Sequence, residues 1–251
     1  MTAPVALITG ASAGLGVDFA RQLSADGARL VLVARRLDRL ETLAAELGNA
    51  RAVALDLSAA GAAERLLADL AVHGEHIDLL VNNAGFGAGG KVAELDAARL
   101  RQMIDLNCGV LTELTALALP GMVERRRGGI LNVASTAAFQ PGPGAAVYYA
   151  TKAFVLSFTE ALHEEMRGTG VHVTALCPGP TATEFFDVAA YGQSTNLEKF
   201  AMASAPVVAA GLAGVSVNQP VVIPGIVNKV GAQGHRLLPR AILRKVAKLV
   251  H

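Results

Sequence analysis

The sequence predicts an α/β fold in which one parallel sheet is covered by helices on both faces. Short apolar runs rich in β-branched residues alternate along the chain with segments of helical periodicity. The runs are almost continuously apolar, as expected of strands buried on both faces, and right-handed crossovers between them give a doubly wound sheet. The seven predicted strands are residues 5–8, 30–33, 52–55, 77–81, 130–133, 171–176 and 221–223.

Length and composition favour a single globular domain spanning residues 1–251. The chain is long for one domain, but α/β folds of this size often stay single, and hydrophobic residues make up 52% of it. A net charge of +1 argues against general binding of nucleic acid, which requires a clustered basic surface. Residues 1–4 lack the basic start of a signal peptide, so a cytoplasmic location is expected.

A glycine-rich turn follows the first predicted strand and leads into a predicted helix, residues 15–25. A turn in this place brings backbone N–H groups and a helix amino terminus to a phosphate. Gly10 would permit the tight turn, Gly14 the close approach of backbone to a pyrophosphate, and Gly16 the close packing of helix on strand. The spacing departs from G-x-G-x-x-G, and a simple tight turn is the alternative interpretation.

Tyr148 and Lys152 are four residues apart in a predicted helix, residues 146–167, and therefore share one face of it. A phenol with a pKa near 10 needs nearby positive charge to exchange protons at neutral pH, and the Lys152 ammonium would supply that charge. The alternative is a lysine stem packed beside a half-buried ring. With Ser135 upstream and the glycine turn, the pair indicates hydride transfer at a carbonyl or an alcohol.

These segments together resemble the classical branch of the short-chain dehydrogenase/reductase family, over residues 5 to about 183. The resemblance implies a Rossmann-like sheet of strand order 3-2-1-4-5-6-7. The motifs that carry it, in the family's order, are T-G-x-x-x-G-x-G at residues 9–16, N-N-A-G at residues 82–85, the helix asparagine at Asn107, the serine at Ser135, Y-x-x-x-K at Tyr148 and Lys152, and P-G at Pro178 and Gly179.

The resemblance assigns the catalytic residues Asn107, Ser135, Tyr148 and Lys152. In the reductive direction Tyr148 would give its proton to the carbonyl oxygen, to which Ser135 also hydrogen-bonds. Lys152 would lower the pKa of Tyr148 and bind the nicotinamide ribose. Asn107 would distort its helix locally and hold a water; the alternative is a helix residue hydrogen-bonded to a neighbouring carbonyl.

The end of the second predicted strand favours NADP over NAD. An acidic residue there would hydrogen-bond the ribose hydroxyls of NAD and repel a 2′-phosphate, whereas an arginine attracts the phosphate. Ala34 stands where relatives that prefer NAD usually carry the acid. Arg35 is the first candidate for the 2′-phosphate and Arg36 the second. Alternatively, both only begin the solvated face of the next helix.

Further cofactor contacts follow from position in the family. Asp56 matches the acid that meets the adenine, although it could instead cap a helix beginning near residue 59. Thr183 or Thr181 could hydrogen-bond the carboxamide or pyrophosphate, or simply cap a turn. The predicted cofactor contacts are Thr9, Gly10, Ser12, Gly14, Leu15, Gly16, Arg35, Arg36, Asp56, Leu57, Asn83, Ala84, Gly85, Tyr148, Lys152, Pro178, Gly179, Thr181 and Thr183.

The candidate substrate contacts are mainly apolar, and a substrate loop is expected over residues 184–206. Because no arginine or lysine among the candidates would bind a carboxylate or phosphate, we expect a neutral, hydrophobic ketone or secondary alcohol. The same side chains could instead form a lid packed on itself or a contact with another subunit. The predicted substrate contacts are Phe86, Ser135, Phe139, Gln140, Tyr148 and Phe185.

Residues 228–251 form a predicted basic amphipathic extension. It carries six lysines and arginines and no acidic residue, and from Arg240 onward the apolar and basic residues fall on opposite faces of a helical wheel. We expect this helix to dock on its own domain or on a partner subunit. Peripheral attachment to an anionic membrane is the less favoured alternative.

Two classes of function remain open. The first is an NADP-dependent carbonyl reductase or alcohol dehydrogenase; the second is a non-catalytic NADP-binding protein that senses redox state or scaffolds partners. The four catalytic matches together favour the enzyme, and epimerases that share the tyrosine and lysine are a weaker third option.

Cys108 and Cys177 are expected to be packing residues, with no metal site. The family resemblance further implies a homodimer or homotetramer.

Overall fold

The computed structural model describes residues 3–184 and 201–234. Within these ranges, the strands form one parallel sheet of order β3-β2-β1-β4-β5-β6-β7. The predicted fold class and strand order are therefore confirmed. The strands are β1 Val5–Thr9, β2 Arg29–Ala34, β3 Ala50–Ala54, β4 Leu79–Asn82, β5 Gly128–Val133, β6 Val171–Leu176 and β7 Val221–Val222.

Helices cover both faces of this sheet. A π-helical segment, Asp105–Val110, joins α4 to α5 without a break. Short 3₁₀ turns occur at Val92–Glu94 and Thr136–Phe139. The helices of the described residues are α1 Leu15–Ala25, α2 Leu37–Leu47, α3 Ala62–Val72, α4 Ala97–Ile104, α5 Leu111–Glu124, α6 Ala146–Glu165, α7 Ser204–Ser216 and α8 Ile226–Gly234.

The core has one layer on each side of the sheet, because successive side chains of a strand point to opposite faces. In β1, Ala6 and Ile8 belong to the layer under α1, α2 and α7, which also contains Phe19 of α1. Val5 and Leu7 belong to the layer under α3, α5 and α6. Burial on both faces explains why the strands are almost continuously apolar.

Several predicted boundaries need correction. Strand β3 begins at Ala50 rather than at residue 52, because a strand at the edge of the sheet can carry the half-exposed Arg51, which forms ion pairs with Asp69 and Glu75. Helix α3 begins at Ala62 rather than near residue 59, after Gly61 in a left-handed conformation.

The predicted substrate loop, 184–206, also ends too late. Met202 pairs with the chain just after β6, since its N–H donates to the Pro180 carbonyl over 2.9 Å, and α7 begins at Ser204. Part of the predicted C-terminal extension, 228–251, belongs to α8. Residues 185–200 and 235–251, which include Phe185 and the basic helical wheel, lie outside the described residues.

Candidate active site

The glycine turn lies at the carboxyl end of β1, where ligands of doubly wound sheets bind. Gly10 and Gly14 have positive φ angles, +68° and +55°, which L-residues with side chains rarely adopt. A Cβ on Gly14 would lie 3.0 Å from the Cβ of Thr183, and a Cβ on Gly16 would lie 2.2 Å from the Gly10 carbonyl oxygen. The turn therefore has room for backbone only, and no side chain caps the amino terminus of α1.

Thr9 and Asn83 tie this turn to the end of β4. The Thr9 hydroxyl accepts hydrogen bonds from the N–H groups of Asn83 and Ala84, each over 3.0 Å. The Asn83 amide donates back to the Thr9 carbonyl over 2.9 Å. Both side chains, predicted to contact the cofactor, are thus used inside the protein, where they hold the two loops together. Leu57 is also buried in the core, so only its backbone remains for a ligand.

The two candidate arginines for the 2′-phosphate lie at the exposed end of β2. Arg36 donates to the Ser12 hydroxyl from Nε and Nη2, each over 3.2 Å, and so reaches the rim of the glycine turn. Arg35 lies within electrostatic range of Asp56. The Asp56 carboxylate accepts hydrogen bonds from the backbone and the hydroxyl of Ser58, which lower its pKa. Asp56 therefore closes a local turn, and the alternative that it caps the next helix is wrong.

The two candidate threonines after β6 occupy different positions. Thr181 is buried, pairs with Met202 and donates to the Gly179 carbonyl over 3.0 Å. Thr183 instead lies against Gly14 at the amino terminus of α1. Of the two hydroxyls, that of Thr183 is the one placed beside the glycine turn.

Ser135 and Tyr148 form a hydrogen-bonded pair at the carboxyl end of β5. The Ser135 hydroxyl also accepts the N–H of Ala137 over 3.1 Å, which fixes its direction. Burial raises the pKa of Tyr148, and the hydrogen bond with Ser135 opposes this increase. Burial therefore has the largest effect on the pKa of this phenol in the protein without cofactor.

Lys152 is buried one helical turn beyond Tyr148, with 6% of its surface exposed. Its ammonium donates to the Val133 carbonyl over 2.8 Å and lies 5.9 Å from the centre of the Tyr148 ring. Burial lowers the pKa of Lys152 to about 8, because a low-dielectric surrounding disfavours the charged amine. The Lys152 ammonium is therefore held at the end of β5, close to the Tyr148 ring.

Asn107 lies in the π-helical segment, where the expected local distortion of the helix is present. Its amide donates to the Phe86 carbonyl over 3.0 Å and to the Thr151 hydroxyl over 3.1 Å, and accepts the Phe86 N–H over 3.1 Å. A Cβ on Gly85 would lie only 2.9 Å from the Asn107 side-chain oxygen. Asn107 thus holds the loop after β4, here called the β4 loop, against α6. It also makes the hydrogen bond to a neighbouring carbonyl that the alternative interpretation predicted.

Behind the site, a buried polar chain crosses β4 and β5. The Asn82 amide donates to Thr115 of α5 and to Asn132 of β5, and the Asn132 amide donates to Thr159 of α6. Sequence reasoning missed Asn132, although an asparagine inside an apolar strand is itself a signal, because a buried amide needs partners. This chain fixes α6, which carries Tyr148, relative to the sheet.

Tyr148 belongs to a mainly apolar cluster, and Arg99 lies at the edge of that cluster. Ala137 is another buried member of this cluster and Phe86 packs against it, while the guanidinium carbon of Arg99 lies 5.0 Å from the centre of the Phe86 ring. The predicted contact Gln140 hydrogen-bonds Tyr149, while Phe139 packs into another core layer. Sequence reasoning missed Arg99, because no recognisable motif marks this residue in the sequence.

This arrangement defines a class of protein. A doubly wound sheet with an open glycine turn beside a partly buried serine and a buried tyrosine and lysine is that of a dinucleotide-dependent oxidoreductase acting on CH–OH or C=O groups.

Comparisons with known proteins agree with this class. A family model described as short chain dehydrogenase matches residues 4–192. The NADP-dependent 3-hydroxy acid dehydrogenase YdfG of Shigella flexneri is 40% identical over 198 residues, which cover 78% of this chain and 80% of that protein. A short-chain dehydrogenase from Sphingobium yanoikuyae in complex with NADPH superposes with a TM-score of 0.83, 32% identity and 93% coverage of each chain. A 7beta-hydroxysteroid dehydrogenase superposes with a TM-score of 0.87 and 26% identity over 98% of this chain and 96% of that one.

The chain belongs to the short-chain dehydrogenase/reductase family. It is an NAD(P)-dependent oxidoreductase.

Proposed function

We propose that this protein transfers hydride between NADP(H) and a neutral, hydrophobic ketone or secondary alcohol. The observation that carries the proposal is the hydrogen bond between Ser135 and the buried Tyr148, with the buried Lys152 ammonium one helical turn away. A non-catalytic NADP-binding protein would not need a buried ammonium beside a hydrogen-bonded phenol, since burying each costs stability.

The residues present fit a bound dinucleotide. The turn at Gly14 has no room for a side chain, and the amino terminus of α1 carries no side-chain cap, so its N–H groups would hold the pyrophosphate. Thr183 would hydrogen-bond the same part of the cofactor. When bound, NADPH supplies the hydride.

The chain's own contribution is proton transfer and stabilisation of charge at the carbonyl oxygen. Tyr148 would donate the proton of its hydroxyl to that oxygen, and Ser135 would hold the oxygen by a hydrogen bond. Lys152 would stabilise the phenolate that remains and bind the nicotinamide ribose. Asn107 positions the β4 loop and α6, and through them Lys152.

Preference for NADP is supported by charge at the end of β2. No acidic residue ends that strand, where Ala34 is followed by Arg35 and Arg36. Arg36 already lies on the rim of the glycine turn through Ser12, and arginine binds phosphate with two parallel hydrogen bonds. Of the relatives reported above, the one from Shigella is named NADP-dependent and the one from Sphingobium is described in complex with NADPH.

A second candidate substrate is a 3-hydroxy acid or its keto acid. Arg99, stacked on Phe86 at the edge of the apolar cluster, is a cation that could pair with a carboxylate, and the relative from Shigella is named for such a substrate. Most of the cluster around Tyr148 is apolar, which favours the neutral substrate.

Oxidation of NADPH against matched panels tests the two substrate classes. We expect hydrophobic ketones to be reduced with a higher kcat/KM than 3-keto acids of equal length, and Arg99→Gln to leave the rates with ketones within about twofold. Activity confined to keto acids and lost in Arg99→Gln would select the second candidate. A protein that binds NADPH and reduces neither panel would contradict the proposed function.

We further propose a homodimer or homotetramer. The two long helical stretches expose apolar side chains to solvent, namely Ile104 of α4, Leu117 of α5 and Phe154 of α6. These are the helices through which the family resemblance implies assembly.

A further inference from the structure

An internal carboxylate is already paired with two arginines, one just after β2 and one in the first turn of α2. Glu184 accepts a hydrogen bond from Arg36 over 3.1 Å and one from Arg39 over 2.6 Å. Both hydrogen bonds lower the pKa of Glu184, so the carboxylate is ionised at neutral pH. We refer to Arg35, Arg36 and Arg39 as the arginine cluster.

Arg36 is shared between this carboxylate and the glycine turn. While Nη1 donates to Glu184, Nε and Nη2 donate to Ser12. The guanidinium has five N–H donors in a fixed fork, and three of its atoms are therefore already directed at oxygen atoms of the protein. Nη2 also donates to the Ser12 carbonyl over 3.3 Å, so a phosphate that takes two parallel hydrogen bonds from Arg36 must replace at least one of these acceptors.

We propose that Glu184 competes with the 2′-phosphate of NADP for Arg36 and thereby sets how strongly the protein distinguishes NADP from NAD. The inference rests on the proposed preference for NADP. A carboxylate and a phosphate are both anions that the arginine fork binds, and two anions on one guanidinium repel each other. NADP displaces Glu184 from Arg36, whereas Arg39 keeps it; NAD, which lacks the 2′-phosphate, leaves both ion pairs in place.

The effect is moderate because the groups are exposed. The side chains of Arg36 and Glu184 are 41% and 46% exposed, and ion pairs at such positions are weak and screened by salt. Glu184 therefore adjusts the affinity for NADP by a small factor and does not prevent binding. Glu184 affects specificity because binding of NADP breaks the Glu184–Arg36 pair, whereas binding of NAD leaves that pair in place.

The test is equilibrium binding of NADPH and NADH, measured by calorimetry on the full chain and on Glu184→Gln. We expect Glu184→Gln to bind NADPH about threefold to tenfold more tightly, with unchanged affinity for NADH and a gain that shrinks as salt increases. Replacing Arg36 by Ala in the Glu184→Gln background should remove the gain.

Glu46→Gln is the matched control. Glu46 pairs with Arg21 on the same side of the sheet and is 47% exposed, so its replacement removes the same charge away from the arginine cluster. Glu46→Gln should change neither the affinity for NADPH nor the affinity for NADH. Unchanged or weaker NADPH binding by Glu184→Gln, while the wild type prefers NADPH, overturns the inference alone. A wild type that binds NADPH no better than NADH contradicts the proposed NADP preference and the competition together.

Discussion

Two regions at the same edge of the sheet hold their charged groups in opposite ways. The catalytic cluster, made of Asn107, Ser135, Tyr148 and Lys152, is almost entirely buried or hydrogen-bonded inside the protein. The arginine cluster is exposed, and two of its members, Arg36 and Arg39, form ion pairs with Glu184. Desolvation therefore controls protonation in the first region, while screened ion pairs control affinity in the second.

The difference predicts how each region responds to substitution. In the catalytic cluster every polar group has partners at fixed positions, so removing one leaves others unpaired and carries a large penalty. In the arginine cluster solvent replaces a lost partner, so effects are graded and depend on salt. The following changes test this contrast from the largest expected effect to the smallest.

Tyr148→Phe should lower turnover by at least two orders of magnitude, about 10²-fold, while the cofactor still binds. Loss of a positioned proton donor lowers rates by about 10²- to 10⁴-fold, and kcat for carbonyl reduction is the measurement. Tyr149→Phe is the matched control, because that neighbouring phenol bonds Gln140 and should keep kcat within about threefold. Equal losses in the two variants would show that the tyrosines act through structure.

Arg35→Asp should reverse the charge that favours NADP. Because the new carboxylate repels a 2′-phosphate and can bond ribose hydroxyls, we expect the ratio of kcat/KM for NADPH to that for NADH to fall by roughly tenfold to a hundredfold. Arg21→Asp changes the net charge equally within α1, where Arg21 pairs with Glu46 and not with the arginine cluster, and should leave the ratio unchanged. A ratio unaffected by Arg35→Asp would remove Arg35 from the phosphate site.

The pH dependence should report the buried lysine. Since burial lowers the pKa of Lys152 to about 8, the ammonium loses its proton as pH rises through 8, well below the usual value near 10.4. We expect kcat/KM for NADPH, which reports groups of the free enzyme, to fall a few-fold between pH 7 and pH 9. Lys152→Arg keeps its charge and should give a flat profile at whatever activity remains. A wild-type profile flat to pH 9.5 would contradict the lowered pKa.

The sequence was most informative where chemistry or periodicity is local. Helix α1 begins and ends at the predicted residues and β6 has the predicted bounds, because glycine positions mark the helix and alternating β-branched residues mark the strand. The spacing of Tyr148 and Lys152 places both on one face of α6. By contrast, Arg51 in β3 was missed, because only the sheet order makes that strand an edge where a charge is tolerated.

By itself, then, the sequence determined the fold class, the strand order through family resemblance, and the set of residues that could do the chemistry. Tertiary structure alone decided which groups meet: Glu184 reaches Arg36, 148 residues earlier in the chain, Arg99 stacks on Phe86, and burial rather than a neighbouring charge dominates the pKa of Tyr148. The physical reason is that desolvation and ion pairing depend on distances across the folded chain, which no local pattern of residues encodes.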